Sequence, residues 1–411
     1  MNTSKILERL KSFSRKSNSV GSLVKSVSFT DEPKFKQWFC RPKSSNSGLS
    51  EEQYGSGIST KESLAQLKAL AESVERYCSS VVSQVTISGS FKELKRRNPV
   101  DPEKFLNFSE DIMGMTRSEY GSYLREFQLD WVEGLDERRM QKVIIPAQIV
   151  YSPYDFKGEP IIRIPISTGA AFGPNFSFAR ERGLLEIVER DSFSIAWLTK
   201  RKFPKIELKK KDLKELESYF NRYALEISTF DITTDLDIPS VMAIIIDRTG
   251  IGPAVSVGLK SSTTIEEAIR GAMLEAQHVR GWIRFSYMAE GAPLLSKASK
   301  INGLKERGYY WYKLDRIKDL NFFLENDLEC AQTIKRPKIY SVRARLLNKG
   351  YEIYTVDLSN NDVRRKGFSV VKSIVPQCHP LCLDEDYPYY AGERLSRYTD
   401  GKLNTMPHPF I

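Results

Sequence analysis

The stretch GLLEIVERDSFSIAW, residues 183–197, restricts the fold most, because its charged residues sit where an exposed helix would not put them. At 100° per residue with Glu186 at zero, Glu189 falls at roughly 300° and Arg190 at roughly 40°, the triangle that i, i+3 and i+4 neighbours make. Phe193 and Trp197 share that face, while Leu184, Leu185, Ile187, Val188 and Ile195 fill the others. A helix apolar nearly all round is a buried one, so this one carries two carboxylates and a guanidinium inwards. Unpaired buried charge costs several kcal/mol, and one arginine does not offset two carboxylates. A divalent cation would.

The pattern occurs twice. Residues 70–77, LAESVERY, place Glu72, Glu75 and Arg76 where LLEIVERD has Glu186, Glu189 and Arg190. Here Leu67, Leu70, Val74 and Tyr77 form a stripe opposite Lys68, Glu72, Glu75 and Arg76, so two readings stand. Alone, this is a water-facing helix with Glu–Arg pairs. Facing the first copy, it completes a set of four carboxylates, Glu72, Glu75, Glu186 and Glu189. Such an oxygen-rich site suits Mg2+, which keeps waters and binds phosphates.

The net charge of +10 is spread over short basic segments near Lys92, Thr199 and Thr333. Solvated surface, or attraction for an anionic nucleotide or peptide, explains it better than nucleic acid, which is not expected as a partner. Five cysteines at odd spacings make no disulfide framework. No apolar run reaches the ~18–20 residues of a membrane span, and the N-terminus is too charged for a secretory signal. A cytoplasmic protein without a membrane partner is expected. Residues 1–50 read as a flexible basic arm, with Asn2-Thr3-Ser4 capping a short helix through Phe13. Residues 51–411 read as the working domain.

Along that domain, Ser59 or Thr60 would cap the first acidic helix. Residues 101–141 read as helical or irregular. VIIPAQIVY from Val143 and PIIRIP from Pro160 read as strands. STGAAFGPNFSF leads into the second acidic helix with glycines that match neither the Rossmann nor the Walker spacing. YALEISTFDIT, VMAIIIDRT and PAVSVGL read as β-rich runs, followed by a helix over residues 264–286. On that helix Gln277 and Arg280 share the apolar stripe of Ile269, Met273 and Ala276, satisfied by neighbouring carbonyls or turned to function. Residues 315–326 read as helical. KIYSVRARLL and GYEIYTVDLS read as a strand pair, and FSVVKSIVPQCHPL as a buried strand and loop. Three histidines make a Ser-His-Asp or Cys-His triad hard to assemble. Cys378-His379-Pro-Leu-Cys382 lacks a second ligand pair for zinc.

ALAESVERY, STGAAFG leading into GLLEIVERD, EEAIRGAMLEAQHVR and the terminal PHPF resemble the YcaO domain proteins. The likeness is to the azoline-forming cyclodehydratase branch, which makes thiazole- and oxazole-modified peptides, and it runs from about Gly55 to the C-terminus. It implies an α+β, YcaO-type fold, with mixed or antiparallel sheets packed around the helices that carry the paired acidic motifs. It implies ATP and Mg2+ as cofactors, with Glu72, Glu75, Glu186 and Glu189 as metal- and phosphate-site carboxylates. Arg76, Arg190, Gln277 and Arg280 would bind phosphate or position the nucleotide. A Cys, Ser or Thr side chain of the peptide would attack the preceding amide carbon, and the oxyanion would leave as phosphate after activation by ATP. Phosphoryl transfer depends on positioning and charge neutralisation, which suits a site rich in acids and arginines. Rival readings are thioamide formation with external sulfide, and a non-catalytic scaffold in a peptide-modifying complex.

The tail Pro407-His408-Pro409-Phe410-Ile411 would be catalytic. Its prolines have little backbone freedom to lose, so it could deliver His408 or the carboxylate of Ile411 to the reaction centre. The partners implied are a ribosomal precursor peptide and a leader-binding, ubiquitin-activating-enzyme-like protein on a separate chain, with a homodimer as an assembly option. The chain departs from the family at Lys68, where Ser is common, and at Pro174 and Phe178, where relatives carry Asn and Glu. Asn175 or Glu181 would then be substitute ligands.

Overall fold

The structure is a computed structural model that describes residues 3–16, 20–41, 54–82, 86–291, 301–325 and 336–411. Its strands form three sheets in which every strand pair is antiparallel. The first is β1 (Leu23–Ser26), β2 (Lys36–Cys40) and β3 (Gly55–Ser59), in that order. The second contains β4 (Ile87–Gly89), β5 (Leu129–Asp136), β6 (Gln141–Pro146), β7 (Ala170–Gly173), β11 (Tyr354–Asp357) and β12 (Ser369–Ile374). Its order is β4-β5-β11-β12-β7, with β6 on β5. The third is β8 (Leu225–Asp231), β9 (Ser240–Asp247) and β10 (Val255–Ser261), with β9 central.

The third sheet is covered on both faces. β9, SVMAIIID, is buried along its whole length, as expected of a strand sandwiched between layers. Its alternate residues point to opposite faces. Val241, Ala243 and Ile245 pack with Ala268, Ala272, Met273 and Ala276 of the helix Ile265–Ala289. Met242, Ile244 and Ile246 pack with Phe193, Ala196 and Trp197 of the helix Phe176–Leu198. That second helix also packs Leu184, Leu185, Ile187 and Val188 against Val342, Leu346, Ile353 and Val375. It is therefore the central helix of the molecule, enclosed on several sides, as its apolar circumference predicts.

Several expectations fail; Lys61 rather than Ser59 or Thr60 precedes the first acidic helix, and Ala147–Val150 is helical rather than strand. The described part of residues 1–50 is packed rather than a flexible arm. A helix over Thr3–Lys16 buries Leu7, Leu10 and Phe13 in the core that contains Leu70 and Val74, and β2 pairs with β3. No strand forms over residues 160–165; Gln148 instead accepts from the Ile162 N–H and donates to the Pro160 carbonyl. The first half of the supposed strand pair is the helix Val342–Asn348, because Ser341 caps it by accepting from the Ala344 N–H. Finally β5 lies in the stretch read as helical or irregular. Its partners β4, β6 and β11 make it a strand, and long-range pairing overrides local preference.

Candidate functional site

Glycines bring strands against the acidic helices closely enough to hand backbone N–H groups to the glutamates. In β3, a Cβ at Gly55 would lie 2.3 Å from the Ala69 carbonyl, and one at Gly57 2.3 Å from that of Ala65. The Ser56 N–H between them, with the Ser56 hydroxyl, donates to Glu72 Oε2 at 2.7 and 2.9 Å. Likewise a Cβ on Gly183 of the second helix would lie 2.3 Å from the Gly169 carbonyl. The Gly169 N–H donates to Glu186 Oε2 at 3.2 Å. Only glycine permits such backbone approach.

The two acidic helices, Glu62–Ser80 and Phe176–Leu198, meet across β7, and the Phe172 N–H of that strand donates to Glu75 Oε2 at 3.2 Å. Glu72 is further held by Arg76, whose Nη2 is 2.8 Å from Oε1. Burial opposes its charge, but Arg76 and Ser56 outweigh burial and hold its carboxyl below the ordinary value. Glu189, 2% exposed, accepts from Arg190 Nη1 at 2.7 Å, Lys260 Nζ at 3.3 Å and the Ser261 N–H at 2.7 Å. Burial works against its ionisation too; Lys260 and Arg190 prevail, and its carboxyl also lies low.

Glu75 and Glu186 differ. Burial and then the Glu186 charge push the Glu75 carboxyl well above its ordinary value. Burial raises Glu186, with Arg190 opposing at 3.5 Å and Glu189 adding repulsion. The first acidic helix is thus half-buried at its charged residues rather than a water-facing surface.

Sequence reading missed Glu275, Lys260 and Lys372. Glu275 accepts from the Leu259 N–H at 2.8 Å, and burial and the Glu189 charge push its carboxyl up to about 7. It lies about 200° around the helix from Gln277, so attention to the Gln277–Arg280 stripe passed over the face that meets the acids. Lys372, on β12, has its ammonium lowered to about 8 by burial, with Glu186 and Glu75 acting against that. Lys68, which is exposed, donates to the Ile58 carbonyl at 3.0 Å.

The structure does not bring Gln277 and Arg280 to these acids. Gln277 Nε2 donates to Glu32 at 2.9 Å, and Arg280 bonds Glu32 at 3.0 Å, Asp247 at 2.6 Å and the Pro253 carbonyl at 2.7 Å. All its nitrogens are engaged inside the protein, which corrects the phosphate-binding expectation. Arg284 joins the same buried network through Glu32 and Asp31. The substitute ligands are also committed elsewhere. Asn175 caps the second acidic helix, and Glu181 accepts from Ser341 Oγ and the Val342 N–H. Phe178 is 49% exposed, two helical turns before Glu186, so it is not a neighbour of that carboxylate.

The tail is ordered and runs inwards. Trp311 Nε1 donates to the Pro407 carbonyl at 3.1 Å, Arg307 to that of His408 at 3.3 Å, and His408 Nε2 meets the Cys382 carbonyl at 2.6 Å. Burial and Arg307 hold the His408 imidazole well below its ordinary pKa, so it is neutral. Phe410, 1% exposed, packs on Phe193, and the Arg190 guanidinium lies 4.3 Å from its ring centre. Phe410 therefore reaches the arginine that holds Glu189 and Glu186.

A family model described as YcaO cyclodehydratase, ATP- and Mg2+-binding, matches residues 55–379, and the chain belongs to the YcaO family. Among solved structures, a heterocyclase in complex with substrate and cofactor is similar over 100% of this chain. Its TM-score is 0.79 at 18% identity. YcaO from Methanopyrus kandleri, bound with AMPPCP and Mg2+, matches 92% of this chain and 91% of its own, with TM-score 0.64 and 19% identity. The E. coli microcin synthetase McbBCD complex matches 95% of this chain and 98% of its own, with TM-score 0.64 and 16% identity. These likenesses show a shared fold, and the chain spans 57% of the heterocyclase's length. A search of the curated proteins returned no match.

The residues present fit Mg2+ in one particular way. Among the described residues no three His, Cys, Asp or Glu side chains converge to chelate an ion by themselves. Mg2+ does not require that: it binds through one or two carboxylates plus phosphates and water. Glu75 and Glu186 are the pair whose mutual repulsion a cation relieves; each accepts one backbone N–H, and Glu186 also lies 3.5 Å from Arg190. Glu72 and Glu189 have closer guanidinium partners, at 2.8 and 2.7 Å.

Proposed function

We propose that the chain is an ATP-dependent cyclodehydratase that converts Cys, Ser or Thr residues of a ribosomally made peptide to thiazolines or oxazolines. The observation that carries this reading is the meeting of the repulsive pair Glu75–Glu186 with the Phe410 ring of the proline-rich segment on Arg190. Glu75 and Glu186 would hold Mg2+ and Glu72 and Glu189 would orient Arg76 and Arg190 towards phosphate oxygens. Mg-ATP supplies the phosphoryl group that makes the amide oxygen a leaving group. The surrounding apolar clusters exclude water, which strengthens each of these charges. None of the three histidines is a proton carrier, since burial holds His278, His379 and His408 neutral. The segment Pro407, His408, Pro409 and Ile411 is assigned to the reaction centre, where it would position the attacking side chain beside Arg190.

The peptide would be presented by a separate leader-binding protein, which rests on the family resemblance and on the likeness to the McbBCD complex. A homodimer is the assembly option kept beside it. Residues 51–411 would be the catalytic domain, with the packed N-terminal helix and strands as its extension.

Intact-mass analysis of a precursor peptide treated with the chain, its partner and Mg-ATP tests the reading. Loss of one water per ring is expected. A net exchange of oxygen for sulfur would make the enzyme a thioamide synthase, and an unchanged mass with complete partners would leave a scaffold.

A further inference from the structure

Beneath Arg190 lies a cavity of about 50 Å3 whose wall contains Arg163, Arg190, Lys372 and His379 and no Asp or Glu. On this measure a single water needs roughly 10–15 Å3, so the space accommodates several waters or one tetrahedral oxyanion. Two of its cations lack an acid. Among the described residues neither Arg163 nor Lys372 has a carboxylate within ion-pair distance. Arg163 donates to Asn107 Oδ1, and its Nε has no hydrogen-bond partner. Lys372, 4% exposed, donates only to the Ile166 carbonyl at 2.8 Å, leaving two further N–H directions. Burial pulls the Arg163 guanidinium down to about 10. His379 adds no charge.

Buried charges are normally paired, and here neither cation is ion-paired: Glu186 and Glu75 act on Lys372 only from beyond that distance. We propose that this cavity is a phosphate-binding site, distinct from the nucleotide's own, in which Arg163 and Lys372 bind one inorganic phosphate dianion. It rests on the cyclodehydratase reading for its biological source. Phosphate released beside Glu186 has Arg190 as a shared wall into the cavity, so the site receives the product and separates it from the peptide.

Titrating inorganic phosphate into the full chain by calorimetry, without nucleotide and then with saturating Mg-ADP, tests the assignment. Phosphate is expected to bind in both conditions, and Arg163→Met or Lys372→Met is expected to weaken it at least tenfold. Asn107→Asp is a second route that keeps the acceptor for Arg163 while neutralising it; it should weaken phosphate similarly, and the loss of the Asn107 Nδ2 donation to the Ala391 carbonyl is read separately in the melting temperature. Phosphate that competes with Mg-ADP and ignores all three substitutions would overturn the site. So would acetate binding as tightly as phosphate, which would mark a carboxylate pocket. Failure of Mg-ADP to bind would sink the cyclodehydratase reading alone, because the nucleotide-free titration would still decide the cavity.

Discussion

Removing Ile411 alone is expected to lower ring formation about 100-fold or more while melting temperature and nucleotide affinity change little. The deletion shortens the segment that approaches Arg190 by one residue, about 3.5 Å, and a misplacement of even ~1 Å can cost ~100-fold. Phe410 keeps its place against Phe193 and Arg190. The larger deletion of residues 407–411 gives a different result. It strips a fully buried Phe and the carbonyls that accept from Trp311 and Arg307. Truncating a buried Phe costs about 3–5 kcal/mol, so that variant should also melt early. Peptide mass and thermal melts of both variants separate position from stability. Full activity without Ile411 would remove the tail from the chemistry.

Glu75→Gln is expected to raise the melting temperature of the ligand-free protein and abolish peptide-dependent phosphate release. Burial and the neighbouring Glu186 raise the Glu75 carboxyl well above its ordinary value. The sign follows from linkage: a carboxyl raised on folding binds its proton more tightly in the folded state. Its contribution to stability is therefore most favourable at low pH and falls as pH rises from the unfolded-state pKa to the raised one. Glutamine removes that penalty, so the variant should gain roughly 2 °C or more at neutral pH and lose part of the wild type's pH dependence. Activity moves the other way, because glutamine has no charge for Mg2+. The loss should reach about 100-fold or more, as for removal of an electrostatic contact in a transition state. Melting curves at several pH values, with and without Mg-nucleotide, check both halves.

The second acidic helix was legible because burial and charge conflict within 15 residues of sequence, and a local conflict needs no knowledge of topology. The three β-rich runs of the third sheet were legible for a similar reason, since β9 is apolar throughout. Partners distant in the chain were not. Gln277 and Arg280 pointed to function only because Glu32, about 245 positions away, could not be assigned to them. Glu32 itself lay in a stretch whose serine- and lysine-rich composition suggested disorder. Glu275, Lys260 and Lys372 carry no local mark of function in the sequence; the packing of β10 and β12 on the helices brings them inwards. The helix at Val342–Asn348 hid behind β-branched and aromatic residues, and its Ser341 cap was the available signal.

The most direct measurement is calorimetric titration of a non-hydrolysable ATP analogue into the full chain, with and without Mg2+, for wild type and Glu186→Gln. Binding that needs Mg2+ in the wild type and weakens at least tenfold in Glu186→Gln is the expected result. Equal affinity in the two proteins, or binding indifferent to Mg2+, would contradict a nucleotide site built on the paired acidic helices.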